Sequence, residues 1–414
     1  MIIGVYPALL SSTVVCEPIK PSPPVTKMFF IVPPFASNTG TIKADRIEVK
    51  FMNSILFVTR CFAQTQGGMG RFALDLHTAI KDKVHLKTLQ WSGSKLALVF
   101  VLPFFFVRSF WLLATRSFDV VHAQDGVVAI LLYPLASLFK KPLVVVIHGL
   151  DVTYKLPLFQ WLIRRALQKA DKIICISSAA KDEVLKRGVD NSRIHVIPVG
   201  VTDDLFIDNK NQARANIDTQ IKDVKGKYML LSSGRLVERK GVHWFICNVL
   251  PLLVKDCPEI IFIVSGEGVQ RTAIEEAIIE TNQQKYVRLL GWTSDDLLKN
   301  LYNGADCFVM PNIPIVGDME GFGRVLIEAA LCQMPIVASG IEGITDALVD
   351  NKNGILVPSG DAKTHANAIL DMINNPQKAQ KLGKKARLFS LKAFGWQQIV
   401  QDYLHTYNQA EDKT

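Results

Sequence analysis

Nowhere in its 414 residues does the chain place two cysteines in a Cys-x-x-Cys pair. The seven it has, at positions 16, 61, 175, 247, 257, 307 and 332, are scattered and odd in number. That pattern argues against zinc-ribbon and dithiol chemistry and fits reduced thiols in a cytosolic compartment. No basic segment followed by an apolar core and a small-residue cleavage site opens the chain, so no secretory leader is expected. An unbroken apolar run of about 20 residues, the length of a membrane-spanning helix, is missing as well. The longest candidate, Leu96 to Ala114, is interrupted by Pro103 and Arg108. It reads either as a helix packed on a core or as one lying in a membrane interface, and no crossing is expected. Helix-turn-helix spacing, zinc fingers and Arg-rich repeats are absent, which argues against nucleic acid as a partner.

What is present is a chain long enough for two large domains. Apolar residues make up 49% and charged residues 21%, a globular composition. The net charge of +9 is unevenly placed: residues 52–205 hold 19 Lys+Arg against 11 Asp+Glu, and residues 206–414 hold 23 against 24. A basic first half implies an anionic partner such as a phospholipid surface. Residues 1–51 carry a proline cluster, Pro18, Pro21, Pro23, Pro24, Pro33 and Pro34, and no sustained periodicity. They read as an irregular extension, with Met52 the natural start.

From Ile55 onward short apolar runs alternate with amphipathic stretches. Ile55–Thr59, Val120–Ala123, Leu143–Ile147, Lys172–Ser177 and His195–Pro198 read as buried parallel strands. A polar stretch at 206–227 reads as a linker. The alternation restarts with Tyr228–Ser232, Glu259–Ser265, Val287–Leu290, Cys307–Met310, Pro335–Ala338 and Ile355–Val357. The fold class is therefore α/β, with two doubly wound domains, 52–205 and 228–395, facing a central cleft.

The motifs fall at strand ends, where open α/β sheets bind ligands. Glu320-Gly-Phe-Gly-Arg-Val-Leu-Ile-Glu328 opens a helix whose free N–H groups suit an anionic or hydroxyl-rich ligand. Ser233-Gly-Arg-Leu-Val-Glu-Arg-Lys-Gly241 offers Arg235 and Lys240 to a diphosphate. Ser265-Gly-Glu-Gly268 follows the next long strand, Gly67-Gly-Met-Gly70 follows the first, and His148-Gly-Leu-Asp151 ends another.

In this order the motifs resemble the retaining glycosyltransferases of family four in the GT-B fold class, from about Met52 to about Tyr407. That group includes mannosyl, glucosyl and N-acetylglucosaminyl transferases of bacterial surface polysaccharides and lipids. The resemblance implies that Arg235 and Lys240 neutralise a donor diphosphate, and that Glu328 holds the ribose. It also implies that Glu320, with the backbone N–H groups of Gly321, Phe322 and Gly323, holds the transferred sugar, with His148 projecting beside it. Gly67, Gly68, Gly70, Gly234 and Gly266 would let backbone approach the donor. Asp151 is open between orienting His148, binding acceptor and capping a helix. Residues 396–414 would form the helix that crosses back to the first domain, with Trp396 as a packing anchor, and a tail.

Two positions depart from the family pattern, Val199 where Asn is common and Met334 where Gly is common, and neither touches the donor motifs. No Asp-x-Asp ends a strand, so the resemblance implies transfer without a metal or cofactor. The expected partners are a nucleotide-sugar donor, a glycan or lipid-linked acceptor, and an anionic membrane surface at the cytoplasmic face. Two rivals are weaker. A non-catalytic nucleotide-sugar binder would not need His148, Arg235, Lys240 and Glu320 together. A dinucleotide-dependent oxidoreductase would need G-x-G-x-x-G, and Gly67-Gly-Met-Gly-Arg-Phe-Ala-Leu lacks that spacing.

Overall fold

The computed structural model describes residues 54–62, 67–94 and 96–411. The extension 1–51, the proposed start at Met52 and the tail after Glu411 lie outside the described residues. The first domain runs β1 (Ile55–Thr59), α1 (Gly67–Ile80), β2 (Leu86–Gln90), α2 (Leu98–Thr115), β3 (Val120–Ala123), α3 (Gly126–Leu138), β4 (Leu143–Ile147), α4 (Pro157–Lys169), β5 (Lys172–Cys175), α5 (Ser178–Leu185) and β6 (Ile194–Val196). Its six strands lie in the order β2-β1-β3-β4-β5-β6, all neighbours parallel.

The reason is visible in the side chains. Strands β1, β3, β4 and β5 are buried at every position, as a sheet covered on both faces demands. Strand β2, not anticipated from the sequence, sits at the sheet edge and buries only Leu89, so it lacks the continuous apolar run of its neighbours. The fifth strand stops at Cys175 because Ser177 caps α5, its side chain accepting from the Ala180 N–H.

The segment read as a linker contains a helix, α6 (Lys210–Gln220). It is mostly polar, which hid it, but it buries Ala213 and Ile217 and anchors Arg214 to Asp306 at 2.8 Å. The second domain follows: β7 (Tyr228–Ser233), α7 (Val242–Asn248), α8 (Leu250–Asp256), β8 (Ile260–Ser265), α9 (Arg271–Glu280), β9 (Val287–Gly291), α10 (Asp295–Gly304), β10 (Cys307–Met310), α11 (Arg324–Leu331), β11 (Ile336–Ser339), α12 (Ile344–Ala347), β12 (Ile355–Val357), α13 (Ala362–Asn374) and α14 (Pro376–Phe394). Its parallel sheet has the order β12-β11-β10-β7-β8-β9.

The last helix, α15 (Trp396–Glu411), returns to the first domain and packs on α1, β3, β4 and β5. Trp396 stacks on Phe72, and a side chain at Gly200 would collide with the indole, so the Val199-Gly200 turn is shaped by packing. Tyr407 is fully buried and bonds His122 at 2.9 Å.

Helix α2 packs only one stripe, Phe105, Ser109, Leu112 and Leu113, into the first domain. Its 18 residues have a mean hydropathy of 2.0, enough by length and composition for a span, yet most of its surface is open.

Candidate functional site

Both sheets send their motif-bearing loops into the cleft between the domains. At the end of β7, Gly234 has φ +139°, and at the end of β8, Gly266 has φ +138°, values that side-chain-bearing residues avoid. A Cβ on Gly266 would land on the Gly234 carbonyl, so the two loops touch backbone to backbone. That contact leaves Arg235 exposed on the cleft wall. Directly across stands the start of α1: a Cβ built on Gly67 would lie 3.7 Å from Arg235 Nη2. Gly68 faces open space and Gly70 is buried in the helix base.

The densest polar cluster centres on Glu320, which is 8% exposed. Lys240 Nζ lies 2.7 Å from its Oε2 and Arg239 Nε 3.6 Å from the same oxygen, while Asn312 Nδ2 donates at 3.2 Å. Burial pushes the Glu320 carboxyl up, but Lys240 and Arg239 outweigh it and hold the group below the usual carboxylate range. Arg239 also grips Asp318 at 2.8 and 3.0 Å, and the Glu320 N–H donates to Glu342 at 2.5 Å. The 312–320 loop is thereby fixed from both sides. Arg239, Asn312, Asp318 and Glu342 were missed by sequence reasoning. An arginine one residue before Lys240 was the available hint for Arg239.

Beyond Glu320 the chain turns through Gly321, whose missing side chain gives room to the His148 carbonyl of the other domain. Gly323, with φ +81°, is the N-cap of α11, so the helix opens at Arg324 and not at Gly321. Phe322 turns its ring into the core against Phe394, leaving only its backbone at the cleft. No described residue accepts a hydrogen bond from the N–H of Phe322 or Gly323. One turn on, Glu328 accepts from Tyr302 at 3.1 Å and from Arg324 at 3.2 Å. Arg324 continues to Asp75 of α1 at 2.6 Å, which joins the two domains beside Glu328.

His148, at the end of β4, is buried with its Nε2 3.0 Å from the Gln124 carbonyl and its ring edge-on to Phe72. Asp151 lies just behind it. Its two oxygens accept from the His148 and Gly126 N–H groups at 2.9 Å each, so it ties the His148 turn to the start of α3. Burial raises its pKa, partly opposed by His148. Beside Met319 a cavity of about 430 Å³ opens between the domains, lined by Thr153, Lys155, Arg187, Asp318, Met319 and Glu342 among others. Among the described residues no group of three or more His, Cys, Asp or Glu side chains gathers as a metal would require.

Comparison with known proteins places the same architecture elsewhere. Residues 213–389 match the family described as glycosyl transferases group 1, and residues 66–205 match glycosyltransferase family 4. The chain is 26% identical over 355 residues to the 2-deoxystreptamine N-acetyl-D-glucosaminyltransferase of Niallia circulans, covering 79% of this chain and 87% of that one. It is 28% identical over 302 residues to the glycogen synthase of Mycobacterium tuberculosis, covering 70% and 68%. In three dimensions it resembles HepE from Anabaena, solved with UDP and glucose, at a TM-score of 0.70 and 19% identity over 86% of this chain and 99% of that one. A sucrose-phosphate synthase from Thermosynechococcus elongatus matches at 0.71 and 21% identity over 87% and 100%.

Proposed function

We propose, from the premise that this chain belongs to the glycosyl transferases group 1 with a family 4 amino-terminal domain, that it moves a hexosyl group from a UDP- or GDP-sugar to a lipid-linked or polysaccharide acceptor. Transfer proceeds with retention of configuration and without a metal, and the work is cell-surface glycan synthesis at the cytoplasmic face of a membrane. The observation that carries this reading is the facing pair Arg235 and Gly67, with the Lys240–Glu320 cluster beside it. There the second domain offers cationic charge and the first offers bare backbone to one ligand.

The bond from the sugar's anomeric carbon to the diphosphate oxygen breaks, the bond to the acceptor oxygen forms on the same face, and the acceptor hydroxyl's proton passes to the departing diphosphate oxygen. Negative charge grows on the departing diphosphate, and Arg235, Lys240 and the free N–H groups of the 322–323 turn stabilise it there. Glu320 holds hydroxyls of the transferred sugar, Glu328 the ribose, and His148 lines the floor beside the anomeric carbon. Asp151 keeps that turn in place. The 430 Å³ cavity by Met319 has room for an acceptor sugar.

The test is a thermal-shift screen with UDP, GDP and their sugars. Nucleotide at about 100 times its Kd should add roughly 2.7 kcal/mol of stability. A donor that stabilises the protein and is slowly hydrolysed supports the reading, and no response to any nucleotide sinks it.

A further inference from the structure

Helices α2, α3 and α4 pack side by side as one layer. Not one Asp or Glu occurs in the three, whereas Arg108, Arg164, Arg165 and Lys169 do, and Lys140 and Lys141 follow α3. The layer exposes Phe100 at 79%, Phe104 at 60% and Val107 at 66%, together with Trp111 and Trp161. Arg108 lies over the Trp111 ring at 4.4 Å and Arg165 over Trp161 at 4.0 Å, each pairing a cation with a half-exposed indole. A layer that is cationic, aromatic and free of carboxylates complements anionic lipid.

Within it a groove of about 240 Å³ runs between α2 and α3, lined by Leu102, Phe106, Val127, Ile130, Leu131 and Pro134. No lining side chain is polar, so an apolar guest would cover apolar surface without stranding a polar group of the groove. Its Val127 end lies in the first turn of α3, three residues from Gln124, whose carbonyl meets His148 Nε2. That end of the groove is therefore within one helical turn of chain from the His148 contact, and the groove runs about two turns, roughly 10 Å, along α3 from there.

We propose that this groove seats the hydrocarbon chain of a membrane-anchored acceptor, delivering its head group to the His148 side of the cleft. The inference rests on the glycosyl-transfer reading for the identity of the head group, and on the groove alone for the chain.

The experiment uses a pyrene-labelled alkyl phosphate, held below its micellar concentration, as the probe. Ile130→Trp fills the groove, and Leu102→Gln places a polar group on its opposite wall. Phe100→Ser with Val107→Ser strips the outer face and leaves the groove intact. Each groove variant should weaken probe binding by about tenfold or more, and the outer-face pair should stay within about threefold of the unmodified chain. Binding of UDP or GDP, whichever the unmodified chain takes, followed by calorimetry in the same samples, should be unchanged in all of them and shows that they are folded. Equal probe binding in the groove variants, or an equal loss in the outer-face pair, overturns the proposal. Failure of the unmodified chain to bind either UDP or GDP would instead remove the donor reading and leave the groove result standing.

Discussion

At the scale of single residues, Arg235 and Lys240 look equivalent in the sequence, two cations in one loop motif. The structure separates them. Arg235 is exposed, so Arg235→Ala should cut turnover sharply while the melting temperature stays near that of the unmodified chain. Lys240 is the closest counter-charge of a buried carboxylate, and removing it leaves Glu320 with only Arg239 at 3.6 Å. Breaking such a pair costs about 3–5 kcal/mol at full burial, and somewhat less here because both side chains keep some solvent contact. The sign with pH follows. Glu320 titrates below its ordinary value in the folded chain, so the ion pair stabilises at neutral pH and its contribution fades as pH falls through the acid range. The stability deficit of Lys240→Ala, measured by urea unfolding, should be full above about pH 4.5 and shrink as the pH falls below it, whereas a deficit that persists unchanged at acid pH would refute the ion-pair account. The motif residues were legible because strand-end position and spacing are one-dimensional signals. The partners that brace them, Arg239, Asn312, Glu342 and the Arg324–Asp75 link, come together only through the turn at 312–320 and the meeting of two domains.

At the scale of elements, legibility tracks burial on both faces. Strands β1, β3 and β4 announce themselves as unbroken apolar runs, whereas β2 at the edge and the polar helix α6 do not, because each hides only one or two side chains. The return of α15 was expected, but the way it is fastened was not. Tyr407 of α15 bonds His122 of β3, whose ring also stacks on Phe57 and bonds Gln124. Complete burial lowers the His122 pKa to about 4. In the unfolded chain it would titrate near its usual 6.5, so the unfolded state binds more protons between those values. Stability should therefore hold above pH 6.5 and decline as the pH falls from 6.5 toward 4, by up to about 1.4 kcal/mol per pH unit from this group. His122→Gln should flatten that limb of the profile. Unfolding curves at pH 5 and 7 decide it, and an identical slope in the variant would mean that another group carries the dependence.

At the scale of the whole molecule, the two halves differ in charge, and the proposed function gives that difference a use. Residues 52–205 carry the basic excess and the open apolar layer, while residues 206–414 are nearly neutral and hold most of the donor motifs. A nearly neutral second domain can take up a soluble nucleotide sugar without being drawn to the bilayer. A basic first domain can rest on anionic lipid by long-range attraction and then by apolar contact. The two contributions should separate in vesicle co-sedimentation. Each Lys or Arg near the surface adds roughly 1 kcal/mol at low salt, so replacing Lys140, Lys141, Arg164 and Arg165 by Ser should abolish the preference for phosphatidylserine over neutral vesicles. The residual binding, driven by Phe100, Phe104, Val107 and Trp111, should be insensitive to salt, because burial of apolar surface is not screened by ions of the Debye atmosphere. If the fourfold variant kept its anionic preference, these four cations would not be the ones that meet the lipid; if high salt removed all binding of the unmodified chain, the apolar layer would have no part in docking and the first domain would be held by charge alone.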